Sequence, residues 1–559
     1  MQKVSELPYE RVDGKEVVKR INECTQKAKL ALSGEELVKL REECLKPISR
    51  FSTMANLAFT RFTLNTRDEF YCAEKDYYDE TFPKVDAEFV KFKRAFTENA
   101  HIKEAAKLVN PLVIKQYELS AKCTNDKTVP LRVEENKIVT EYSKLMAETL
   151  YEYNGQKIPL ASLRKYMADT NRNVRKAAYE TLGKTLEAIS DKLDDIFDRL
   201  VKVRTATAKA LGYENFVELG DNLMGRISYN RDMLRAFRQN VKSDIVPAVA
   251  KLKTQLGKKL GINKFMLYDN DTYFENGNPA PVLNAQEMFE AANKMYHDMS
   301  GETGEFFDMM LKSEAFDVFP REGKWGGGYC EQFTDFKQPF ILANFNGTSG
   351  DVDVLTHEAG HAFASYMSFV LEHDQDISLG METAETHSMG MEFFCYKYMK
   401  DFFGDRADDY KHYHFFDAIN FIPYGTIVDY FQELVYQNPE MTPAERNALW
   451  NRLEKEFHPW LNSDGIPYLE KGTRWQYQAH IFENPFYYID YCLAQSVAVQ
   501  FYFASRKDYS SAFEAYARFV KHGSQKEFPA LVSEAGLCSP FENGALKEIA
   551  ANAVKIIGG

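Results

Sequence analysis

Apolar positions in the first three hundred residues recur at three- and four-residue intervals. Leu37, Leu40 and Leu45 stand among charged residues between Glu36 and Leu45. From Leu163 to Leu193 the apolar set is Tyr166, Met167, Val174, Ala177, Ala178, Leu182, Leu186, Ile189 and Leu193. That spacing makes one stripe on a helical surface and predicts an amphipathic helix pair facing a core. Asn154-Gly155 and Leu211-Gly212-Tyr213 predict turns. The texture changes at Phe316. Phe316 to Pro320 leads into Gly326-Gly327-Gly328, and Tyr329 to Phe333 alternates as a strand does. Pro339 opens a second apolar run, Phe340 to Asn346, which stops at Gly347. Helical spacing resumes at Val352 and continues to the C-terminus. The pattern predicts a mainly α protein with one small β-sheet placed before a helix starting near Val352.

No Pro-, Ser- or Gly-rich tract and no fixed-period repeat divides the 559 residues. One integrated body is expected, with an N-terminal helical region over 1–200 and the remainder over 201–559. Acidic residues outnumber basic ones, 82 to 69, for a net charge of −13. A general nucleic-acid binder needs the opposite balance to displace counterions, so that class is excluded. No apolar run is long enough to span a bilayer, so no membrane partner is expected. The segment Met1 to Glu6 carries charge early and no apolar stretch follows, which predicts no secretory signal. The eight cysteines, at 24, 44, 72, 123, 330, 395, 492 and 538, form no C-x-x-C pair. They are expected to be reduced, mostly buried thiols of a cytoplasmic protein.

Chemistry enters at Leu355-Thr356-His357-Glu358-Ala359-Gly360-His361, an H-E-x-x-H motif. Residues four apart share one face of a helix, so His357 and His361 can reach a single metal ion. Imidazole suits zinc, which lowers the pKa of water to about 7. Glu358 is rotated off the ligand face and can serve as the base for that water. Chance would supply such a motif roughly once in fifty to a hundred chains of this size. The cluster Thr348-Ser349-Gly350-Asp351 is placed to cap the helix. An extended motif with Gly at 364 and His at 367 is ruled out, because Ala364 and Met367 stand there. The third ligand is then sought in Met381 to Glu392. Glu385 comes first, with Glu382 and Glu392 behind it. The other role for Glu392 is to bond a ligand imidazole from outside. His387 is expected on the helix surface or as an outer partner of a ligand, and His373 in solvent.

His357-Glu358-Ala359-Gly360-His361-Ala362, together with Ala384-Glu385-Thr386-His387-Ser388 and Glu392, resembles the M3 peptidases and their oligoendopeptidase F branch. The resemblance runs from about Leu211 to Phe541. It implies a large two-lobed helical zincin-like fold with a deep central channel, and a catalytic region over 201–559. It also implies one zinc ion per chain, Glu385 as third ligand, Glu358 as general base, and short unstructured peptides as substrates. The family places a His and Tyr residues beside the scissile bond, and the matching stretch is His480 to Tyr491. Asn484 is a suitable N-cap and Pro485 a suitable first helical residue, which puts Tyr488 and Tyr491 on one face. From there Tyr491, with Tyr488 or His480, would donate to the oxyanion. Thimet-type members carry a glycine pair between that His and the first Tyr. This chain has Phe482-Glu483-Asn484-Pro485 and is one residue shorter.

The run Phe340 to Asn346 is expected to be a sheet edge that pairs with extended substrate. Leu342, Ala343 and Asn344 would make main-chain contacts, and Gly327, Gly328 and Tyr329 are further candidate substrate contacts, the glycines letting backbone approach closely. The expected function is therefore a zinc-dependent oligoendopeptidase. The rivals are a zinc carboxypeptidase on a similar helical fold and a non-catalytic peptide-binding scaffold.

Overall fold

Helix starts in the N-terminal third follow local capping chemistry. Asp13 caps α1 (Gly14–Leu30), Ser33 caps α2 (Gly34–Leu64) and Asp68 caps α3 (Glu69–Thr97), each accepting a backbone N–H of the first turn. The computed structural model describes residues 2–374 and 377–558. One apolar core draws on residues from Val4 to Ala553, and a satellite cluster around Leu252, Phe265 and Tyr273 lies beside it. None of the described helices is long and apolar enough to cross a membrane.

Helix α4 (Val129–Glu148) crosses to face α2 and α3. Between them lies a cavity of about 1450 Å³ lined by Asn56, Phe59 and Phe82 on one wall and Val139, Thr140 and Leu145 on the other. The stripe from Leu163 to Leu193 falls on more than a pair of helices: Leu160–Met167, Arg172–Ala188, and the start of α5 (Ser190–Ala210).

The described residues contain two small sheets where one was expected. The unpredicted one is the hairpin β1 (Tyr151–Tyr153) and β2 (Gln156–Ile158) around Asn154-Gly155. Both turn residues have positive φ, 52° and 75°, as a tight two-residue hairpin requires. Three-residue strands are too short to show a period in sequence.

The second sheet has the order β3-β5-β4. Strand β3 is Phe316–Asp317, β4 is Tyr329–Phe333 and β5 is Gln338–Leu342. Strand β5 is parallel to β3 and antiparallel to β4, with Tyr329 opposite Leu342 and Phe333 opposite Gln338. It is the middle strand, buried along its whole length. The prediction that this strand is an edge is therefore wrong. Ala343 N–H donates to Asp317 O, and Ala343 O accepts from Lys324 Nζ. Asn344 Nδ2 donates to Trp325 O and Gly327 O. Leu342, Ala343 and Asn344 are thus occupied in holding the sheet and its loop. The edge strands are β3 and β4, and of these β4 lines the candidate metal cleft.

Four helices then build the site: α6 (Ser349–Val370), α7 (Met381–Phe394), α8 (Ala407–Gln437) and α9 (Tyr488–Lys507). Helix α7 lies between α6 and α9, which is why nearly all its residues are buried, polar ones included.

Candidate metal centre and catalytic cleft

Helix α6 is started by Asp351. Its carboxylate accepts the N–H groups of Asn346 (2.8 Å) and Gly347 (2.7 Å), and Gly347 supplies the left-handed φ of 84° that this turn needs. One and a half turns on, His357 and His361 project side by side, with ring centroids 5.0 Å apart. Helix α7 packs against this face and brings in Glu385. Glu385 Oε2 lies 3.4 Å from His357 Nε2 and 3.5 Å from His361 Nε2. Tetrahedral zinc with bonds near 2.0–2.1 Å separates its ligand atoms by about 3.3 Å. The three atoms therefore have the spacing of a zinc triad, and they form a compact metal-ligating set among the described residues.

The atoms behind the triad are also placed for a cation. His357 Nδ1 donates to Glu392 Oε1 at 2.5 Å, which leaves Nε2 facing Glu385. Glu392 Oε2 in turn accepts from His414 Nε2 on α8 at 2.8 Å, and His414 Nδ1 meets the Tyr396 hydroxyl at 2.7 Å. Glu385 is fixed by two hydroxyls: Tyr487 donates to Oε1 at 2.5 Å and Ser388 to Oε2 at 3.0 Å. Burial works against a charged carboxylate at Glu385 and Glu392. The neighbouring imidazoles outweigh it, holding Glu385 well below the usual range and Glu392 down at about 2. Burial likewise opposes an imidazolium at His357, yet Glu385 and Glu392 hold its pKa well above the ordinary value. A site that favours positive charge this strongly between its side chains favours a divalent cation there.

The triad opens into a cleft of about 600 Å³. Glu358 stands in its wall beside the ligands. Opposite are Gly328, Tyr329 and Cys330 at the β4 edge, and Tyr487 and Tyr491 close the side. Burial, then Glu358 and Glu331, push the Cys330 thiol up, so it is protonated. The peptidase family M3 model matches residues 165–551, and the peptidase M3 N-terminal domain model matches residues 4–124. The chain belongs to peptidase family M3.

Individual M3 relatives agree. A solved structure of PZ peptidase A with an inhibitor is 39% identical at a TM-score of 0.94, covering 100% of this chain and 99% of that one. The oligoendopeptidase F homolog of Borreliella burgdorferi is 24% identical over 281 residues, 48% of this chain and 46% of that protein. Oligopeptidase PepF of Bacillus subtilis is 22% identical over 409 residues, 69% of this chain and 57% of that protein. The chain spans about half the length of these two curated relatives. The relatives place it with the oligoendopeptidase F type.

Within this M3 scaffold several candidates move. Glu382 is turned away from the triad: it accepts from Tyr229 and lies beside Asp490, and burial pushes it up to about 7. His387 is not on a helix surface. It is buried in the cleft wall against Phe519, and neither ring nitrogen has a hydrogen-bond partner among the described residues. Burial pushes its pKa down to about 3, which keeps the imidazole neutral. His373 is half-buried and meets Ser524 Oγ at 3.1 Å.

The aromatic stretch differs from expectation in register. Asn484 does not cap α9 and Pro485 is not in it; the helix begins at Tyr488. Phe486 intervenes with a φ of 68°. That conformation is held from both ends, because Phe486 N–H donates to Gln432 Oε1 and Phe486 O accepts from Arg226. Its ring is buried against Phe216 and Tyr436. The consequence is that Tyr487 and Tyr491, not Tyr488, face the metal cleft together, with ring centroids 4.9 Å apart. Tyr488 and His480 line a separate, smaller cavity that shares Tyr491 as a wall. His480 packs edge-on to Tyr488 at 4.8 Å, and its Nδ1 meets Gln478 Nε2.

Tyr487 and His414 were not found from sequence. Tyr487 lies inside the aromatic run that was singled out, and only the left-handed turn at Phe486 selects it. His414 stands in the run Lys411-His412-Tyr413-His414 of the long helix α8, which matches no ligand motif.

Proposed function

We propose that the protein is a zinc-dependent endopeptidase acting on short, unstructured peptides, with cytoplasmic peptides as its substrates. The observation that carries this reading is the convergence of His357 Nε2, His361 Nε2 and Glu385 Oε2 in a cleft that also presents Glu358 and an unpaired strand edge. Those three side chains would hold the ion, and Glu392 and Tyr487 would orient them. When bound, zinc polarises the scissile carbonyl and brings the pKa of water toward about 7.

The chain's own groups supply the rest. Glu358 takes the proton of the attacking water and delivers it to the leaving amine. Tyr491 donates a hydrogen bond to the oxygen that becomes negative. Burial and then Glu385 raise its pKa, so the phenol stays protonated and able to donate. The β4 edge, from Gly328 to Gln332, pairs with the extended backbone on one side of the cleft. Such pairing makes little demand on side chains. The cavity between α2, α3 and α4 would give an extended chain room and deny it to a folded one.

The test is cleavage of a doubly blocked peptide of about ten residues before chelation, after it, and after zinc is restored. Internal cutting that stops and returns supports the reading. Cutting of unblocked peptides alone, from the C-terminal end, favours the carboxypeptidase instead. Binding without any cutting favours a scaffold.

A further inference from the structure

The smaller cavity, about 390 Å³, adjoins the metal cleft across Tyr491 and is not needed to hold the ion or to activate water. Its walls come from α6, α7, α8 and α9, with His480 from the segment before α9. Three of its lining residues are acidic: Asp353, one turn before His357 on α6; Glu392; and Asp417 on α8. Glu392 is matched by His357 and His414. Asp353 and Asp417 are not matched. Asp353 accepts from the Tyr410 hydroxyl at 2.5 Å and Asp417 from the Tyr273 hydroxyl at 2.8 Å. Neither forms an ion pair among the described residues. The nearest fixed cation behind Asp417, Lys253, is directed away and donates to Asn270 O.

A second observation is independent of the acids. Gln495, one turn after Tyr491 on α9, is 5% exposed and lines the same cavity. Its amide nitrogen has no hydrogen-bond partner among the described residues. A buried donor left without an acceptor costs stability unless a ligand supplies one. Half-buried carboxylates whose neighbouring imidazole, His414, is already paired with Glu392 carry a similar cost. Burial pushes both up, Asp353 to about 6, with His414 and then Tyr410 limiting the rise there. One ligand group would relieve both: a cationic side chain next to a peptide carbonyl.

We propose that this cavity is a specificity pocket for a lysine or arginine side chain flanking the scissile bond. Its ammonium or guanidinium sits between Asp353 and Asp417, and the Gln495 amide donates to a carbonyl of the same substrate residue. This rests on the endopeptidase reading and names the substrate class within it. The aromatic wall of Tyr488 and Tyr491 suits the alkyl stem of such a side chain.

The test is a set of N-acetylated, C-amidated peptides in which each position near the cut carries Lys, Arg, norleucine or Glu in turn. At one position Lys and Arg exceed norleucine in kcat/KM by about tenfold or more, and Glu falls below it. In Asp417→Asn the Lys-to-norleucine ratio drops toward one. Equal rates for Lys and norleucine at every position of the native protein overturn the proposal. So does an Asp417→Asn variant that slows both peptides by the same factor, since that is a structural effect. Matched peptides with a free N-terminus separate a side-chain pocket from one that captures the terminal amine; a preference for the free amine regardless of Lys also overturns it. If no peptide is cut, the endopeptidase reading has failed. Fluorescence anisotropy of the same labelled peptides then decides the pocket alone: tighter binding of Lys than of norleucine, lost in Asp417→Asn, supports it, and equal binding overturns it.

Discussion

Gly360 and Ser388 lie backbone to backbone: a Cβ built on Gly360 would sit 2.6 Å from Ser388 Cα and 2.6 Å from His387 O. Gly360 is the residue before ligand His361, and Ser388 is one turn after ligand Glu385. This close approach of α6 and α7 is what lets a carboxylate on one helix reach two imidazoles on the other. Real Cβ atoms do not tolerate such a distance, and backbone cannot swing aside as a side chain can. Gly360→Ala must therefore push the helices apart.

The expected cost is about 1–3 kcal/mol of stability from overpacking, together with weakened metal binding as Glu385 moves off the imidazoles. Thermal unfolding and zinc titration read the two effects. Gly326→Ala is the control, because nothing lies within 4 Å of a Cβ there, and it should leave both unchanged. A Gly360→Ala protein that binds zinc as the native one does would show that the interhelical distance is not what sets the triad.

Glu392 touches His357 Nδ1 and His414, not the ion position. Glu392→Gln retains the volume but loses the charge that orients and polarises His357. Zinc affinity should fall about 10- to 100-fold, measured by competition with a chromophoric chelator, with the helical circular dichroism unchanged. His414→Phe, which removes the outer partner, should move affinity in the same direction by less.

Glu358 separates binding from turnover. It lies in the cleft wall and outside the ligand set. Glu358→Gln should lower kcat by about 10²- to 10⁴-fold while zinc content and peptide affinity stay as they are. Loss of zinc in this variant would mean that the carboxylate holds the metal, and the proposed division of roles would fall.

Tyr487 and Tyr491 face the same cleft but have different partners. Tyr487 is committed to Glu385, so Tyr487→Phe should show mainly as weaker metal retention. Among the described residues Tyr491 meets only the Tyr487 hydroxyl and no carboxylate, so in this reading it can turn its own proton to the substrate. Tyr491→Phe should lower kcat by about 10²- to 10³-fold with a small change in KM. If the two variants exchange these signatures, the oxyanion donor is Tyr487.

How much of this was legible in the sequence depends on the range of the interactions. The ligands on α6 follow from a four-residue spacing, because helical geometry is local and carries chemistry with it. Glu385 needed a second helix, and residue pattern ranked it first of three carboxylates without excluding the other two. The choice was made by packing: Glu382 turns to Tyr229 and Asp490, and Glu392 reaches the far nitrogen of His357. The strand Phe340 to Asn346 was visible, but its place in the sheet was not, since a two-residue partner at Phe316 makes no signal. Tyr487 was hidden by the left-handed Phe486, a conformation imposed by Arg226 and Gln432 more than two hundred and about fifty positions away along the chain. His414 and Gln495 matter through what they face across the interior, and no local pattern encodes that.

Glu331 on the β4 edge yields a prediction in pH. Burial pushes its carboxyl up to about 7, against the partial help of the Gln332 N–H. It accepts from Asn56 at 2.9 Å but forms no ion pair among the described residues. In the unfolded chain a glutamate titrates near 4.3. Between about 4.3 and 7 the folded protein therefore holds a proton that the unfolded chain has released. Stability is linked to pH through the difference in bound protons, unfolded minus folded, and that difference is negative in this window. The contribution of Glu331 to stability thus falls as pH rises from 4.3 to 7 and stays low above it. Gln at 331 has no proton to lose, and its Oε1 still accepts from Asn56. The gain in melting temperature of Glu331→Gln over the native protein should be small at pH 5 and grow to a plateau by pH 8. Glu382 has a pKa raised to about 7 as well, but it titrates alike in both proteins and drops out of the difference. A Glu331→Gln increment that stays constant from pH 5 to pH 8 would mean that this carboxyl is already ionised at low pH and that the cleft beside β4 solvates its charge.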